Sequence, residues 1–337
     1  MPNYSVLAAQ MAAAFHMEGQ IAKGTGNTIV VPPLSLNIGG NGYHSSVSVT
    51  LNPLVDNDGG FSSFTFGRDY YIYAVEPSTA TITPKLLVSA NSTVPAGYTA
   101  ANSRKIGGFH YGKIRTGAAA NAVADGIVPN SVWDLRHRPT CSPEGMVKVG
   151  NIWVDIYLSS DDGQGGIKSA YNATPLTGTE GLNWYSFVER AAKVGKRLLT
   201  YAEWIAAAQG SPQGLDGSNA NAWTATTNTG RNPAGLIANA TSIYNVRDCV
   251  GNVYEWLDEM VVRWDGTTNK WAWHDVLPDQ GYGQLYMYTP NALVAMRAGG
   301  DWSNGVHAGA RAVVLANLPW NVYSGTGCRV ACDSLNF

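Results

Sequence analysis

Residue types that could do chemistry cluster near the C-terminus of the chain. Every second position holds Asp301, Ser303, Gly305 or His307, and all of these except the glycine carry a functional group. An extended strand turns alternate side chains to opposite faces, and the intervening Trp302 is the large apolar residue that predicts the buried face. The carboxylate, hydroxyl and imidazole would then share the exposed face, where such a mixed polar set is typical of a recognition surface.

Metal or thiol chemistry has less support in the sequence. His307 could bind a metal, but no second ligand stands near it at a suitable spacing. The four cysteines, none of which belongs to a CxxC pair, are Cys141, Cys249, Cys328 and Cys332. Cys328 and Cys332 lie in a predicted strand at a spacing that is poor for a local disulfide. We therefore predict no metal site and leave the disulfide state open.

Two carboxylates, Glu203 and Glu255, could act as acid–base groups. Glu203 follows Thr200 at the spacing of a helix capping box, so a capping role is expected for it. Glu255 is interpreted as a buried structural contact. The sequence therefore predicts no catalytic residue among its carboxylates.

The composition of the 337 residues disfavours two classes of partner. Only 14% of the residues are charged, against roughly 25% in a typical protein, which together with the abundant glycine indicates a loop-rich and β-rich chain. The net charge is −2 and no basic stripe is present, so nucleic-acid binding is not expected. No apolar run is long enough to span a bilayer, so membrane insertion is not expected either. Such a composition suits extracellular or virion proteins.

The elements that must position these residues form a predicted α+β fold. Residues 5–22 are rich in helix formers and predict a helix at the start of the chain. Further along, periodicity predicts strands at Tyr70–Val75, Lys105–Tyr111 and Val147–Leu158 and helices at Trp184–Val194 and Thr200–Ala208.

A stretch of small residues, Gly117–Asp125, is the best candidate for a domain boundary. We predict three regions. Residues 1–60 form a helix and β segment with a possible role in assembly, residues 61–129 form a β-sandwich-like domain, and residues 130–337 form the last domain.

Three blocks in the second half resemble the formylglycine-generating-enzyme family. They are Gly195–Trp204 (GKRLLTYAEW), Gly251–Trp256 (GNVYEW), and Gly299–Trp302 followed by Arg311 and Gly327–Arg329, and they occur in the family's order. The resemblance implies a C-type lectin fold of the formylglycine-generating type over residues 130–337. It also implies a scaffold role for Trp302 as a core anchor, for Arg311 and Arg329 as donors to loop carbonyls, and for Gly327 and Trp256.

From about residue 60 onward, the chain also resembles the phage major tropism determinants. This family of tail-fibre receptor-binding proteins is varied by a diversity-generating retroelement. The stretches 104–111, 132–139 and 145–158 carry the resemblance, and residues 299–333 align with the family's variable repeat. It implies twelve changeable ligand-binding positions, here called the variable set: Asp301, Ser303, Gly305, His307, Val314, Ala316, Asn317, Asn321, Tyr323, Gly325, Thr326 and Cys328. None is Trp, Met, Lys, Gln or Glu, which the retroelement's usual NNC codons cannot encode.

The resemblance implies ligand binding rather than catalysis. The oxidases of the enzyme family hold reactive cysteines in the stretch that corresponds to Trp302–Arg311, and this chain has none there. An oxidase-like enzyme and an invariant carbohydrate-binding module stay as alternatives. The Glu-Pro-Asn and Gln-Pro-Asp triplets of calcium-dependent lectins are absent, so no cofactor is predicted, while a structural calcium is left open.

The same resemblance implies a homotrimer and an extracellular place of action. The tail fibre of a phage virion is the expected location, with another cell surface as the alternative. The expected partner is a cell-surface protein or another receptor on a host or neighbouring cell.

Overall fold

Short strands dominate this chain, and two α-helices are found among the residues described. The structure is a computed structural model that describes residues 15–214, 217–262, 272–275, 284–287 and 293–335. It divides into two units: unit 1 holds the described residues up to Gly112, Asp125–Arg138 and Leu335, and unit 2 holds Lys113–Ala124 and Pro139–Ser334. A mostly β architecture with few helices is thus observed.

The first eleven strands form three sheets. They are β1 (Phe15–Met17), β2 (Ala22–Lys23), β3 (Ile29–Val31), β4 (Leu34–Ile38), β5 (Asn41–Ser45), β6 (Val49–Leu51), β7 (Arg68–Val75), β8 (Lys85–Ser89), β9 (Ser103–Arg115), β10 (Val123–Ile127) and β11 (Trp133–Asp134). The sheet orders are β1-β4-β5, β2-β3-β6 and β10-β9-β7-β8, with β11 paired to β9. The predicted strands at Tyr70–Val75 and Lys105–Tyr111 are confirmed within β7 and β9.

One hydrophobic core spans the predicted boundary at residue 60. Met17, Leu34 and Leu51 belong to the same buried cluster as Tyr70 and Phe109. Residues on both sides of position 60 therefore pack into one shared cluster.

The predicted helix over residues 5–22 is wrong in its described part. Residues 1–14 lie outside the described residues, whereas Phe15–Met17 pairs antiparallel with Leu34–Leu36. Met17 is 2% exposed and Ile21 is 3% exposed, so both side chains enter the core of unit 1. Strand pairing and burial therefore override the local preference for helix, which is a weak tendency at any single residue.

Unit 2 contains most of the remaining elements. Its strands are β12 (Met146–Val149), β13 (Ile152–Asp155), β14 (Ser159–Asp161), β15 (Ile167–Ser169), β16 (Arg197–Leu198), β17 (Tyr254–Val262), β18 (Ala272–Asp275), β19 (Gln284–Met287), β20 (Leu293–Gly299), β21 (Gly309–Asn317), β22 (Thr326–Cys328) and β23 (Val330–Asp333). Its helices are α1 (Trp184–Lys193) and α2 (Tyr201–Ala208), and short 3-10 turns occur at Gly178–Glu180 and Gly305–His307.

Two sheets of unit 2 position the C-terminal residues. A six-stranded sheet has the order β18-β19-β21-β20-β17-β22, and a four-stranded sheet has the order β12-β13-β23-β16. Only Arg329 separates β22 from β23, so this residue connects the two sheets. The predicted single strand over Val147–Leu158 is instead the hairpin β12-β13, which turns at Gly150 with a φ of 59°.

Both predicted helices of unit 2 are confirmed. The Asn183 side chain accepts a hydrogen bond from the backbone N–H of Ser186 at 3.0 Å and caps α1. Thr200 and Glu203 form a capping box at the start of α2, as their spacing predicts. Within the described residues, no helix has the length and apolar character needed to cross a membrane.

Candidate functional site

The predicted strand over residues 301–308 is wrong. These residues form a turn followed by the 3-10 helix at Gly305–His307. The Asp301 carboxylate accepts hydrogen bonds from the backbone N–H of Ser303 at 2.9 Å and from its hydroxyl at 3.0 Å. The Asn304 side-chain oxygen accepts one from the backbone N–H of Asp301 at 2.7 Å. Such local side-chain bonds favour a turn over extended backbone, so the alternation of faces is not realised.

Exposure divides the variable set into two groups. Seven members reach the surface at least in part, and they are called the open subset: Asp301, Ser303, His307, Ala316, Asn321, Tyr323 and Gly325. Five are buried, and they are called the buried subset: Gly305, Val314, Asn317, Thr326 and Cys328. The prediction that all twelve side chains share one solvent face is therefore wrong for the buried subset.

Strand packing explains why members of the buried subset are inaccessible. Val314 lies in β21, between β19 and β20, and is 1% exposed. Cys328 is also 1% exposed and belongs to the core cluster that contains Trp256 and Phe187. Thr326 accepts a hydrogen bond from Arg297 Nη1 at 2.6 Å. Side chains at these positions contact packed neighbours, which limits the size and polarity of any replacement.

Two glycines of the variable set carry geometric restrictions. Gly305 has a φ of 55°, a left-handed conformation that glycine and asparagine adopt more readily than other residues. A Cβ atom at Gly325 would lie 2.9 Å from Asp301 Oδ2, so a larger residue there requires Asp301 to move. Positions 301 and 325 are therefore coupled rather than independent.

Backbone hydrogen bonds fix the main chain at two further members of the open subset, Asn321 and Tyr323. The backbone N–H of Asn321 donates to the Leu318 carbonyl at 2.9 Å, and its side-chain oxygen accepts from the Leu318 N–H at 2.9 Å. The Tyr323 carbonyl accepts from Gly178 at 2.9 Å and from Thr326 at 3.1 Å. The main chain is held by these hydrogen bonds while both side chains stay partly exposed, which lowers the ordering cost of binding.

Exposed apolar residues lie beside the open subset in sequence. Val306 is 56% exposed, Trp320 is 55% exposed and Val322 is 49% exposed. The alternation wrongly placed Val306 on the buried face, and sequence reasoning did not single out Val322. Large apolar side chains within a stretch rich in Gly, Asn and Ser were the available signal. Exposed apolar surface of this kind is often covered by a binding partner.

Arg329, which the resemblance places in the scaffold, is buried in a set of hydrogen bonds. Its side chain is 0% exposed and donates to both carboxylate oxygens of Glu255 at 3.1 Å. It also donates to the carbonyls of Asp155 at 3.0 Å and Ile156 at 2.8 Å. Trp256 is 1% exposed, and a Cβ at Gly327 would collide with the Leu176 carbonyl. Arg329 thus pairs with a buried carboxylate, and Glu255 is a structural contact as expected.

The other two scaffold predictions need correction or stay open. Trp302 is only half-buried in the turn, where its carbonyl accepts a hydrogen bond from Asn228 at 3.0 Å, so it is not a core anchor. Arg311 is exposed on β21, and its own carbonyl accepts a hydrogen bond from the Tyr201 hydroxyl at 3.2 Å. Donation by the Arg311 side chain to loop carbonyls stays a prediction.

The bonding and burial of the four cysteines disfavour nucleophilic chemistry by a thiolate. Cys141 and Cys332 form a disulfide, a pairing that the sequence alone left open. Cys249 and Cys328 are buried free thiols, and burial raises the pKa of each to about 12. Because the thiolate is the reactive form, neither residue is poised for catalysis near neutral pH.

The remaining chemical candidates have structural partners. The Glu203 carboxylate accepts from the backbone N–H of Thr200 at 2.9 Å and from Arg197 at 2.7 Å, so it caps α2. In the part of the chain that the structure describes, no group of three or more His, Cys, Asp or Glu side chains could hold a metal ion. His307 is exposed within the 3-10 turn.

Comparison with known proteins gives matches over both halves of the chain. Residues 20–134 match the family described as Mtd second domain, and residues 126–334 match the Sulfatase-modifying factor enzyme 1-like domain. The tail fiber receptor-binding protein of Bordetella phage BPP-1 is 30% identical over 296 residues, which cover 81% of this chain and 73% of that protein.

Solved structures give the same result. The Major Tropism Determinant P3c Variant superposes with a TM-score of 0.77 at 25% identity, covering 98% of this chain and 88% of that chain. The U1 Variant has a TM-score of 0.77 at 23% identity and covers 100% of this chain and 89% of that chain. The resemblance proposed from the sequence motifs is thereby confirmed.

Proposed function

The chain belongs to the family of the Bordetella phage tail fiber receptor-binding protein, and we propose that it is itself the receptor-binding protein of a phage tail fibre. The observation that carries the proposal is the similarity over most of both chains. The exposed side chains in the variable region are consistent with that role.

The proposed mechanism is binding by changeable side chains on a fixed scaffold of the C-type lectin type, within an α+β fold. The buried ion pair of Arg329 and Glu255 and the capped helices hold the backbone. The open subset then supplies contacts whose conformational cost has largely been met during folding. Different side chains on the same backbone would select different receptors.

The chemistry of the open subset suits a protein receptor. Asp301 offers a carboxylate, His307 and Asn321 offer hydrogen-bonding groups, and Tyr323 offers an aromatic ring with a hydroxyl. The neighbouring Trp320 adds an exposed indole. Aromatic and amide side chains of this kind dominate adaptable binding surfaces such as antibody loops.

We also propose that the protein acts as a homotrimer on the virion. Three copies would raise the overall avidity for a receptor-covered cell far above the affinity of one copy. Light scattering of the full chain should give three times the monomer mass of 35.9 kDa. A monomer at micromolar concentration would contradict this part of the proposal.

Variation by a retroelement is a further part of the proposal. Sequencing the gene and its downstream region in many clones of one population should reveal a near-copy of the segment for residues 299–333 beside a reverse transcriptase gene. Substitutions should fall in the codons of the variable set. Identical codons in all clones and the absence of a near-copy would remove this part and leave an invariant receptor-binding protein.

We propose that receptor binding needs neither catalysis nor a cofactor. The raised pKa values of Cys249 and Cys328 support the absence of thiol chemistry. A structural calcium is tested by thermal melting with and without a chelator. An unchanged melting temperature is expected, and a clear drop would show that the fold binds a metal.

The main proposal is tested by competition for phage adsorption. The purified chain, added to host cells, should block adsorption of the phage that carries it. The double substitution His307→Ala with Asn321→Ala should weaken the block, whereas Ile243→Ala, a 44% exposed apolar control in the same unit, should leave it unchanged. Failure of the unaltered chain to compete, in the presence of normal adsorption, would refute the proposed function.

A further inference from the structure

Arg297 contacts the open subset although it is not a member of the variable set. Its guanidinium carbon lies 4.3 Å from the ring centroid of Tyr254 and 5.2 Å from that of Tyr323. Its Nη1 donates to the Thr326 hydroxyl at 2.6 Å. One cation therefore touches two members of the variable set, and a tyrosine outside that set flanks it as well.

Two rings and a hydroxyl contact this cation directly, and the Asp301 carboxylate acts on it through its charge. Burial lowers the pKa of Arg297, while Tyr254, Asp301 and Tyr323 oppose that shift. Its Nε atom is buried without a hydrogen-bond partner among the described residues. An incompletely paired buried charge is costly, and the faces of aromatic rings offset part of that cost by cation–π attraction.

The sheet fixes Arg297 more firmly than it fixes Tyr323. Arg297 lies on β20, where it pairs with Trp256 of β17 and Val314 of β21. Tyr254 is paired with Thr326 of β22 in the same sheet. Tyr323 instead lies in the irregular segment before β22. Paired strands thus carry both Arg297 and Tyr254, and the Tyr323 ring packs against the Arg297 guanidinium.

We propose that Arg297 is a positioning residue of the receptor-binding face, which orients the side chain at position 323 and restricts which side chains can function there. This inference rests on the proposed function. Aromatic residues cover the cation with a ring, and aspartate pairs with it. Arginine at position 323 places two cations together and is disfavoured. Tyr, Phe, Asp and Arg are all encoded by NNC codons, so the variation mechanism itself does not make this choice.

The test is a displayed library of the full chain selected against lysozyme as a defined protein target. The codons of the open subset are randomised as NNC in the native background and in an Arg297→Met background. Among binders with Arg297, Tyr, Phe and Asp should be enriched at position 323, and Arg should be depleted there by about tenfold, as a cation–π preference of ordinary size implies. In the Arg297→Met background this depletion should disappear.

Position 303 is an internal control that needs no substitution of Arg297. If Arg297→Met does not fold, the frequency of Arg at position 323 is compared with its frequency at position 303 in the native background alone. A lower frequency at position 323 supports the inference. Equal frequencies among true binders overturn it and leave the proposed function standing. A library that yields no binders in either background overturns the inference, whereas the proposed function is decided by the competition for adsorption.

A single selected clone provides an independent measurement. In a clone that keeps Tyr323, Arg297→Met should raise the dissociation rate from lysozyme by about tenfold. Arg297→Lys should recover part of the loss because the charge remains while the planar face is lost. Lys193→Met, which removes an exposed cation from α1 of the same unit, should have no effect. An unchanged dissociation rate in Arg297→Met would refute the positioning role.

Discussion

The assignment of variable positions to the buried subset and the open subset can be tested with aspartate. The same substitution is made at one position of each subset. Aspartate is encoded by an NNC codon, so both Val314→Asp and His307→Asp are variants that the proposed mechanism can produce. Val314 is 1% exposed inside the six-stranded sheet, whereas His307 is exposed in a turn. The two substitutions therefore introduce the same group into opposite environments.

The expected loss for Val314→Asp is large. An uncompensated buried charge costs about 3–5 kcal/mol, which for a unit of this size lowers the melting temperature by roughly 6–20 °C. His307→Asp should change stability by no more than about 0.5 kcal/mol, as is usual for exposed substitutions.

The pH dependence gives a second signature. Burial raises the pKa of an aspartate at position 314 in the folded state, while its unfolded pKa stays about 3.9. Below that pH both states are protonated, so the ionisation penalty is absent. The penalty grows as the pH rises above about 4, because only the unfolded state ionises, at roughly 1.4 kcal/mol for each pH unit.

Urea denaturation of both variants between pH 4 and neutrality measures these differences. The gap between Val314→Asp and the unaltered chain should widen as the pH rises, and the gap for His307→Asp should stay small. A Val314→Asp variant within about 1 kcal/mol of the unaltered chain at neutral pH would refute the assignment of Val314 to the core.

Three further predictions follow from the same contacts. Burial raises the pKa values of Cys249 and Cys328 to about 12, so neither thiol should react with a thiol reagent at pH 8 in the native protein. Denaturation without reductant should expose two reactive thiols. Four reactive thiols would disprove the disulfide. Arg329→Met leaves the Glu255 carboxylate buried and unpaired and should cost about 3–5 kcal/mol in urea denaturation, so a loss below about 1 kcal/mol would contradict the buried pair. Gly305 has a φ of 55°, so Gly305→Val should lower the free energy of unfolding in urea by about 1–3 kcal/mol, and Gly305→Asn should lower it by clearly less. Equal losses for the two variants would exclude backbone strain as the cause.

Local signals in the sequence predicted local structure well. The capping-box spacing of Thr200 and Glu203 located the start of α2, because those two side chains satisfy backbone groups of the same turn. The apolar run at Tyr70–Val75 predicted β7 because all six side chains are buried, so that both faces of the strand are apolar. Where a few neighbouring residues decide the geometry, their order along the chain is sufficient.

Features that depend on distant residues escaped the sequence. Cys141 and Cys332 are 191 residues apart, and no spacing rule could pair them. The burial of Val314 depends on β19 and β20 lying on either side of it. The strand predicted over residues 301–308 was wrong for a different reason. The side-chain hydrogen bonds that form the turn at Asp301 are local, but the prediction relied on the period-two pattern instead.

The buried subset changes what diversification can achieve. If codons for all twelve positions vary, replacements at Val314 and Cys328 act on folding before they act on binding, because both side chains pack in the interior. Many variants would then be lost as unfolded protein, and the surviving repertoire would be concentrated in the open subset. Coupling of Gly325 to Asp301 reduces the number of independent choices further. Selection for a receptor would therefore act on fewer combinations than the number of variable codons suggests, and the scaffold would set that limit as firmly as the mutation mechanism.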